Sequence, residues 1–325
     1  MREEQHTDEA MYEMVKCAYD AGYQVATHSI GDAAIDQALR IYEKVMEENP
    51  REDPRMRIEH FQIASQDLVE RAMELGVIAS MQPTHATSDM NMAEDRVGHE
   101  RIQYAYAWRE ILDRGGIIPG GSDAPTEYTN PYFGLYAAVT RKDRLGNPSE
   151  GWYAQQCMTR EEALRSFTIW AAYAEYSEEW KGSLEAGKVA DFVVIDRDYM
   201  TCPEEDIKDI QALMTVSGGQ VVYTKDLSQP TVVWNGLPMT FNSDVVVEPG
   251  KIYVPLNDTA NGIGAQTSVA DGQAEVTLEG RTATVPVAEV NGVYYVPARA
   301  LFEGLGRNVT WYGDGQCVSI GWLAA

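Results

Sequence analysis

The chain has 325 residues, of which 44% are hydrophobic, and its formal net charge at pH 7 is −24. This length accommodates two or three domains with a buried core, and the negative charge argues against nucleic acid or an anionic membrane surface as a partner. No apolar run approaches the roughly 18 residues of a membrane-spanning helix, and the acidic start Met1–Gln5 is unlike a signal peptide. Four separated cysteines without a Cys-x-x-Cys pair argue against a disulfide scaffold or a thiolate metal site.

The first 125 residues alternate between predicted helices and predicted strands. Apolar spacing predicts helices at 7–21, about 31–48, 66–75 and 101–114. Short apolar runs predict strands that end at His28, His60, Gln82 and Asp123, the last strand being Gly116–Pro119. A polar loop is predicted after His85. Four such strand–helix repeats predict a parallel sheet with right-handed crossovers.

The remainder of the chain shows two further patterns. Thr159 and Glu162 form a capping box that predicts a helix from Arg160 to Tyr173. After about residue 178, a turn-rich stretch leads to a predicted strand at 192–195 and a hairpin that pairs 213–216 with 221–223. Tyr253–Leu256 is matched 42 residues later by Tyr295–Ala298, which predicts a duplicated strand–helix unit.

Three metal-ligating side chains follow predicted strand ends. His28, His60 and Asp123 each lie where a strand gives way to a loop, and reacting groups collect at that end of a parallel α/β fold. Imidazole and carboxylate are common ligands of divalent cations, although these residue types alone suit Zn, Fe, Mn or Co comparably. The pattern therefore predicts a metal site at this end of the sheet.

The same segments carry a family resemblance. In chain order, Thr27–Asp32, Arg57–His60, Gln82–His85 and Gly121–Pro125 resemble the later motifs of the amidohydrolase superfamily, and the YtcJ-like (amidohydrolase 3) branch is the best match. The resemblance covers roughly residues 7–225. The tail resembles a stalk domain, also described as copper amine oxidase N-terminal-like. No histidine occurs in residues 225–325, which argues against a copper site there.

The resemblance implies an α/β fold with three domains. The expected domains are the second half of a (β/α)8 TIM barrel, with strands five to eight, at 1–178; a small β-sandwich module at 179–228; and an α+β stalk domain at 229–325. A His-x-His pair and a fourth-strand lysine that full-length members supply have no counterpart here. We therefore expect the chain to be an N-terminally truncated piece of a longer enzyme.

The resemblance also implies site residues and a reaction. His28, His60 and Asp123 are the expected metal ligands, and Asp123 is also the expected general base. His85 is expected to contact the substrate or an oxyanion, or else to hydrogen-bond within its loop. Arg141 is expected to be a substrate-side charge or part of a structural ion pair. The cofactor is a divalent metal, with zinc favoured and one or two ions in the full-length protein.

The expected activity is hydrolysis of an amide or another non-peptide C–N bond by a metal-activated water. The expected partner is a small amide-like molecule. The stalk resemblance adds a cell-wall or surface component as a second partner and an extracellular or cell-surface location, with the cytoplasm as the alternative. A different hypothesis is a non-catalytic surface protein that retains a degenerate half-barrel.

Overall fold

The computed structural model describes residues 6–225, 230–235, 237–248, 250–312 and 317–322. The chain divides into two compact units, one made of Met1–Asp143 with Glu150–Asp191 and the other of Arg144–Ser149 with Phe192–Ala325. The prediction about Met1–Gln5 and the predicted boundary between residues 228 and 229 lie outside the described residues. The predicted division into three domains stays a prediction.

The first unit combines helices with a parallel sheet. Its helices are α1 (Asp8–Asp20), α2 (Asp32–Glu48), α3 (Gln66–Glu74), α4 (Pro83–Asp89), α5 (Ala93–Val97), α6 (His99–Ile102), α7 (Trp108–Asp113), α8 (Pro131–Thr140), α9 (Arg160–Ser166) and α10 (Ile169–Ala174). Its strands are β1 (Ala26–Ser29), β2 (Arg57–His60) and β3 (Ile78–Ser80), paired in parallel in that order. The α/β class and the parallel sheet predicted from the sequence are therefore present.

Helix α2 shows why the sequence pattern succeeds here. The apolar residues predicted to share one face are fully buried: Ile35, Ala38, Leu39, Tyr42 and Val45. The hydroxyl of Tyr42 donates to the carbonyl oxygen of Arg57 at 2.8 Å, which fastens the helix to β2. A side chain that buries its ring and satisfies its hydroxyl thus holds the sheet against its helical layer.

The prediction of a fourth strand at Gly116–Pro119 is wrong. Residues 117–119 have no strand conformation, and a single parallel bridge joins Met81 to Gly120. The amide of Met81 donates to the carbonyl oxygen of Pro119 at 2.9 Å, but Pro119 has no N–H to donate in return. The amide of Gly120 donates to the carbonyl oxygen of Ser166 instead. The segment therefore lies beside β3 without extending the ladder.

Three further predictions are corrected between residues 83 and 174. The predicted polar loop after His85 contains α4, α5 and α6. The predicted helix 101–114 is interrupted, because Ala105 forms an antiparallel bridge with Ile63 and Tyr106 adopts φ 51. The predicted helix 160–173 has its capping box, but it breaks at Thr168, where φ is −133 and ψ is −97. At Ala105 the bridge to Ile63, a tertiary contact, overrides the local helical pattern.

Helix α8 was not predicted, because it is apolar on all sides and shows no amphipathic period. The side-chain oxygen of Asn130 accepts a hydrogen bond from the amide of Tyr132, and Pro131 occupies the first turn. Gly134 lies against Phe167, so closely that a Cβ there would come within 2.3 Å of the ring. A helix buried on all faces is expected to lack periodicity.

The second unit is mostly antiparallel sheet. Its strands are β4 (Phe192–Ile195), β5 (Ala212–Ser217), β6 (Gln220–Thr224), β7 (Thr231–Trp234), β8 (Leu237–Pro238), β9 (Val246–Glu248), β10 (Lys251–Pro255), β11 (Gln266–Ala270), β12 (Gln273–Leu278), β13 (Arg281–Pro286), β14 (Ala288–Val290), β15 (Val293–Pro297), β16 (Arg307–Tyr312) and β17 (Cys317–Trp322), and its α-helices are α11 (Leu256–Ile263) and α12 (Ala298–Gly304). The predicted hairpin is β5–β6. Among the described residues of both units, no helix has the length and apolar character needed to cross a bilayer.

The predicted internal repeat is a structural duplication. In each copy a strand ends in a proline, Pro255 or Pro297, that directly precedes a helix, and an antiparallel hairpin follows. The two repeated strands, β10 and β15, pair with each other in antiparallel orientation. Val254 and Val296, at equivalent positions, are fully buried in one core. The assignment of this duplicated unit to a stalk domain stays a prediction.

Candidate metal centre

The candidate site lies where β2, α4 and the turn at Asp123 meet. His60 is the last residue of β2 and Asp123 lies beyond the bridge at Gly120, and both adopt a left-handed backbone, with φ 77 and φ 55. Such a conformation costs a non-glycine residue about 1–3 kcal/mol and persists only where surrounding contacts hold it. After His60, the amide of Phe61 donates to the carbonyl oxygen of Ser29 at 3.1 Å, and this bond holds the left-handed backbone at the end of β2.

Three ligand-type side chains converge in this place. Ligand atoms of His60, His85 and Asp123 all lie within 4.8 Å of one another. The Nε2 atom of His85 is 3.7 Å from Oδ2 of Asp123, and the rings of His60 and His85 are nearly parallel, with centroids 5.6 Å apart. Both histidines are buried while Asp123 is exposed, so the cluster opens to solvent on its carboxylate side.

The buried ring nitrogens of this cluster fit a cation. Nδ1 of His60 and Nε2 of His85 have no hydrogen-bond partner among the described residues. A buried polar atom without a partner costs about 1–3 kcal/mol, so two such atoms in one cluster call for an explanation. Imidazole nitrogens and a carboxylate oxygen are the donors that zinc and related divalent cations accept. The residues present therefore suit a divalent metal.

His28 lies next to this cluster. Its ring meets that of His60 edge-on, with centroids 4.4 Å apart, but its nitrogens are outside the group of donors described above. Partial burial lowers the pKa of His28, and the neighbouring His60 adds to this, while the carboxylates of Asp123 and Glu59 oppose it. A lowered pKa keeps the imidazole neutral near pH 7, the form that binds metals. The predicted ligand role of His28 stays a prediction.

His85 occupies a different position from the one expected. It belongs to α4 rather than to a loop, and its ring is among the three clustered donors. The family resemblance implied a contact with the substrate or an oxyanion for His85, with a hydrogen bond within its loop as the alternative. Its separation from Asp123 is a property of the fold that spacing along the chain does not reveal.

Arg141 is buried away from solvent. Its Nε donates to the carbonyl oxygen of Trp152 at 2.8 Å and its Nη1 to that of Tyr106 at 3.1 Å, and the rings of Trp108 and Trp152 lie 4.5 Å and 4.9 Å from the guanidinium. Burial lowers the pKa of Arg141 to about 10, so the group remains charged near neutral pH. This geometry favours a structural role for Arg141. The residues that the structure describes supply no acidic partner for the expected ion pair, and the predicted substrate contact stays a prediction.

Sequence reasoning missed three polar residues behind the cluster. Gln62, Asp89 and Tyr106 hydrogen-bond to one another, although they lie far apart in the chain. The signal available was the helical spacing of His85 and Asp89, which places both on one face of α4. That spacing was hidden because the segment was expected to be a loop.

Comparison with known proteins points to one family. The amidohydrolase family pattern matches residues 1–223. YtcJ of Bacillus subtilis (strain 168), which is named as an amidohydrolase, is 32% identical over 220 residues, which cover 68% of this chain and 41% of YtcJ. The N-substituted formamide deformylase of Arthrobacter pascens is 30% identical over 220 residues, covering 66% of this chain and 39% of that protein.

A solved structure agrees with these matches. The crystal structure of an uncharacterized metal-dependent hydrolase from Pyrococcus furiosus superposes with a TM-score of 0.52 at 30% identity, covering 61% of this chain and 39% of that one. The chain thus spans less than half the length of the relatives it matches. The matched segment contains β1 to β3 and the clustered side chains. On its sequence and its fold, the chain belongs to the amidohydrolase family.

Proposed function

We propose that this chain carries part of the active site of a metal-dependent hydrolase that cleaves an amide or another non-peptide C–N bond. The observation that carries the proposal is the convergence of His60, His85 and Asp123, with two buried ring nitrogens that lack hydrogen-bond partners within the described part of the chain. Membership of the amidohydrolase family supports the reaction class. The name of the Arthrobacter pascens relative supports a C–N bond as the bond cleaved.

In this proposal His60, His85 and Asp123 hold a divalent cation, with zinc as the favoured ion, and His28 is a candidate for a further ligand. A cation bound there would lower the pKa of a water molecule towards neutrality and polarise the substrate carbonyl. Imidazole ligands are neutral and so preserve the positive charge of the ion. The ligand atoms of His60, His85 and Asp123 lie within 4.8 Å of one another, which brings the donors of β2, α4 and the turn at Asp123 to one place.

Asp123 acts as the general base in the proposed reaction. Its carboxylate is the exposed member of the cluster, so water and substrate approach from its side. It accepts a proton from the attacking water and delivers that proton to the leaving amine nitrogen. The left-handed backbone at Asp123 turns the carboxylate towards His85 rather than along the direction of the preceding segment.

The experiment is hydrolysis of a panel of N-formyl and N-acetyl amines by the purified 325-residue chain, followed as amine release. We expect turnover that is lost on chelation, restored by Zn²⁺, and abolished by Asp123→Asn. Asp113→Asn, which alters an exposed carboxylate on α7, should leave the rate unchanged. A zinc-loaded chain that releases no amine from any member of the panel would refute the proposal.

A further inference from the structure

The side chains of Gln62, Asp89 and Tyr106 form a closed hydrogen-bond network that connects the segment after β2 to helix α4. The amide of Gln62 donates to Oδ2 of Asp89 at 2.8 Å and lies 2.6 Å from the hydroxyl of Tyr106. The same hydroxyl donates to Oδ2 of Asp89. Gln62 and Tyr106 are buried, and a charge-assisted bond to a carboxylate is stronger in such surroundings than in water.

Two members of the network, Gln62 and Asp89, lie close in the chain to residues of the metal centre. Gln62 lies two residues beyond His60, on the segment where the backbone leaves β2 in a left-handed conformation. Asp89 lies one helical turn beyond His85, on the same face of α4. The bonds to Asp89 therefore tie the end of β2 to the helix that carries His85.

Tyr106 is itself held rigidly. Its amide donates to the carbonyl oxygen of Gln62 at 2.7 Å, beside the bridge that joins Ile63 to Ala105. Its own carbonyl oxygen accepts a bond from Arg141. These backbone bonds fix the position of Tyr106 in the first unit. The bond from Arg141 to the same residue also helps to hold that buried side chain in place.

A purely structural role would need none of this arrangement. An apolar contact between α4 and the segment after β2 would stabilise the fold at least as well, because a buried polar network contributes little net stability. What a directional network adds is a fixed distance and orientation between the elements that it joins. Here those elements carry His60 and His85, whose ligand atoms lie within 4.8 Å of each other and of Asp123.

We propose that Asp89, through its bonds to Gln62 and Tyr106, is a positioning residue that holds His60 and His85 at the separation needed to bind a divalent cation. The inference rests on the metal centre of the proposed function. Removing a side chain that supports a metal ligand without contacting the ion typically weakens metal affinity by about 10–100-fold. None of the three residues needs to contact the ion.

The first test is Co²⁺ binding by the full chain, titrated through the visible absorption of the bound ion. Asp89→Ala should weaken Co²⁺ binding by about 10–100-fold and alter the absorption bands, and Tyr106→Phe by about 10-fold. Asp89→Asn keeps an oxygen that accepts both bonds, so we expect it to restore most of the affinity. Tyr104→Phe is the matched control, because the Tyr104 hydroxyl bonds only to Gln66 among the described residues and lies outside the network.

The second test needs no metal. The ring proton signals of His60 and His85 in the full chain, observed by NMR, report on the mutual stacking of the two rings. Asp89→Ala and Tyr106→Phe should shift these signals towards those of isolated imidazoles, while Asp89→Asn and Tyr104→Phe should leave them in place. Thermal unfolding of the same variants shows whether each one is folded.

The outcomes separate this inference from the proposed function. Co²⁺ binding of wild-type affinity and unchanged ring signals in folded Asp89→Ala would overturn the positioning role and leave the metal centre intact. A wild-type chain that binds no Co²⁺, with ring signals that shift in Asp89→Ala, would refute the metal centre while supporting the positioning of the two rings. Loss of both affinity and ring stacking, restored by Asp89→Asn, supports both.

Discussion

Nε2 of His85 lies 3.7 Å from Oδ2 of Asp123, and this pair joins helix α4 to the turn that follows the bridge at Gly120. The two residues belong to separate motifs of the sequence, one within α4 and the other beyond the bridge at Gly120. Their approach turns a set of ligand-type side chains into a site with a defined centre. His60 completes that site from the adjacent strand.

The ligand assignment predicts different effects at the histidines. His85→Ala should weaken zinc binding by more than the roughly 10–100-fold expected on loss of an outer partner, because it deletes one of three clustered donors. His28→Ala should weaken binding less, since its nitrogens lie outside the cluster. His99→Ala, at an exposed histidine beside Glu94, is the control. Zinc titration of the three variants measures this, and equal losses for His28→Ala and His85→Ala would contradict the assignment.

The turn before Asp123 predicts a contrast between adjacent glycines. A Cβ at Gly120 would come within 2.5 Å of Oγ of Ser166 and within 3.0 Å of the ring of Phe167, whereas a Cβ at Gly121 would meet nothing within 4 Å. Gly120→Ala should therefore lower the free energy of unfolding by about 1–3 kcal/mol through overpacking. Gly121→Ala should be close to neutral. Urea unfolding monitored by circular dichroism decides this, and equal stability of both variants would refute the packing described here.

Replacing Arg141 with lysine should lower stability even though the positive charge is kept. Arg141→Lys keeps the charge but cannot donate to the carbonyl oxygens of both Trp152 and Tyr106 while packing against two indole rings. We expect the free energy of unfolding to fall by about 2 kcal/mol, the scale of a hydrogen bond from a charged donor. Arg165→Lys, at an exposed ion pair with Glu161, should cost less than about 0.5 kcal/mol. A comparable loss of stability in both variants would mean that the two buried hydrogen bonds of the Arg141 guanidinium do not contribute to stability.

The buried carboxyl of Asp209 should make the stability of the second unit depend on pH. Its carboxyl is buried and accepts a bond from the hydroxyl of Ser319; burial raises its pKa, against the opposing effects of Lys208 and Arg197. Because the folded state holds the proton more tightly than the unfolded state, its contribution is present below about pH 4 and is lost as the pH rises. Asp209→Asn should therefore gain stability relative to the wild type between pH 4 and pH 8.

Thermal unfolding of the wild type, Asp209→Asn and the exposed Asp271→Asn at several pH values measures this difference. The two mutants separate a buried carboxyl from an ordinary surface one. A difference between the wild type and Asp209→Asn that does not change with pH would contradict the assignment of a raised pKa to Asp209.

The sequence predicted the parts of the fold in which local and tertiary preferences agree. The face of α2 and the capping box at Thr159 are examples, since each depends on spacing within a single helix. Prediction failed where a distant contact overrode local preference. Ala105 and Tyr106 lie in a helical sequence pattern but bond to the segment after β2, which ends α6 early.

The same reasoning explains what could be predicted of the site. Strand ends identified His28, His60 and Asp123 because the carboxyl ends of parallel strands share one edge. The strand-end pattern does not reveal that Nε2 of His85 lies 3.7 Å from Oδ2 of Asp123, since that approach depends on how the fold places α4 beside the turn at Asp123. Nor does it reveal Asp89 as a partner of Gln62, because the two are joined only by the fold.

The most direct test of the metal centre is the zinc content of the purified 325-residue chain by elemental analysis, beside Asp123→Ala and His60→Ala. We expect about one bound equivalent in the wild type, a count that follows from the single described cluster, and its loss in both variants. A wild-type chain without zinc after incubation with the ion, or variants that retain a full equivalent, would contradict the assignment of His60, His85 and Asp123 as a metal centre.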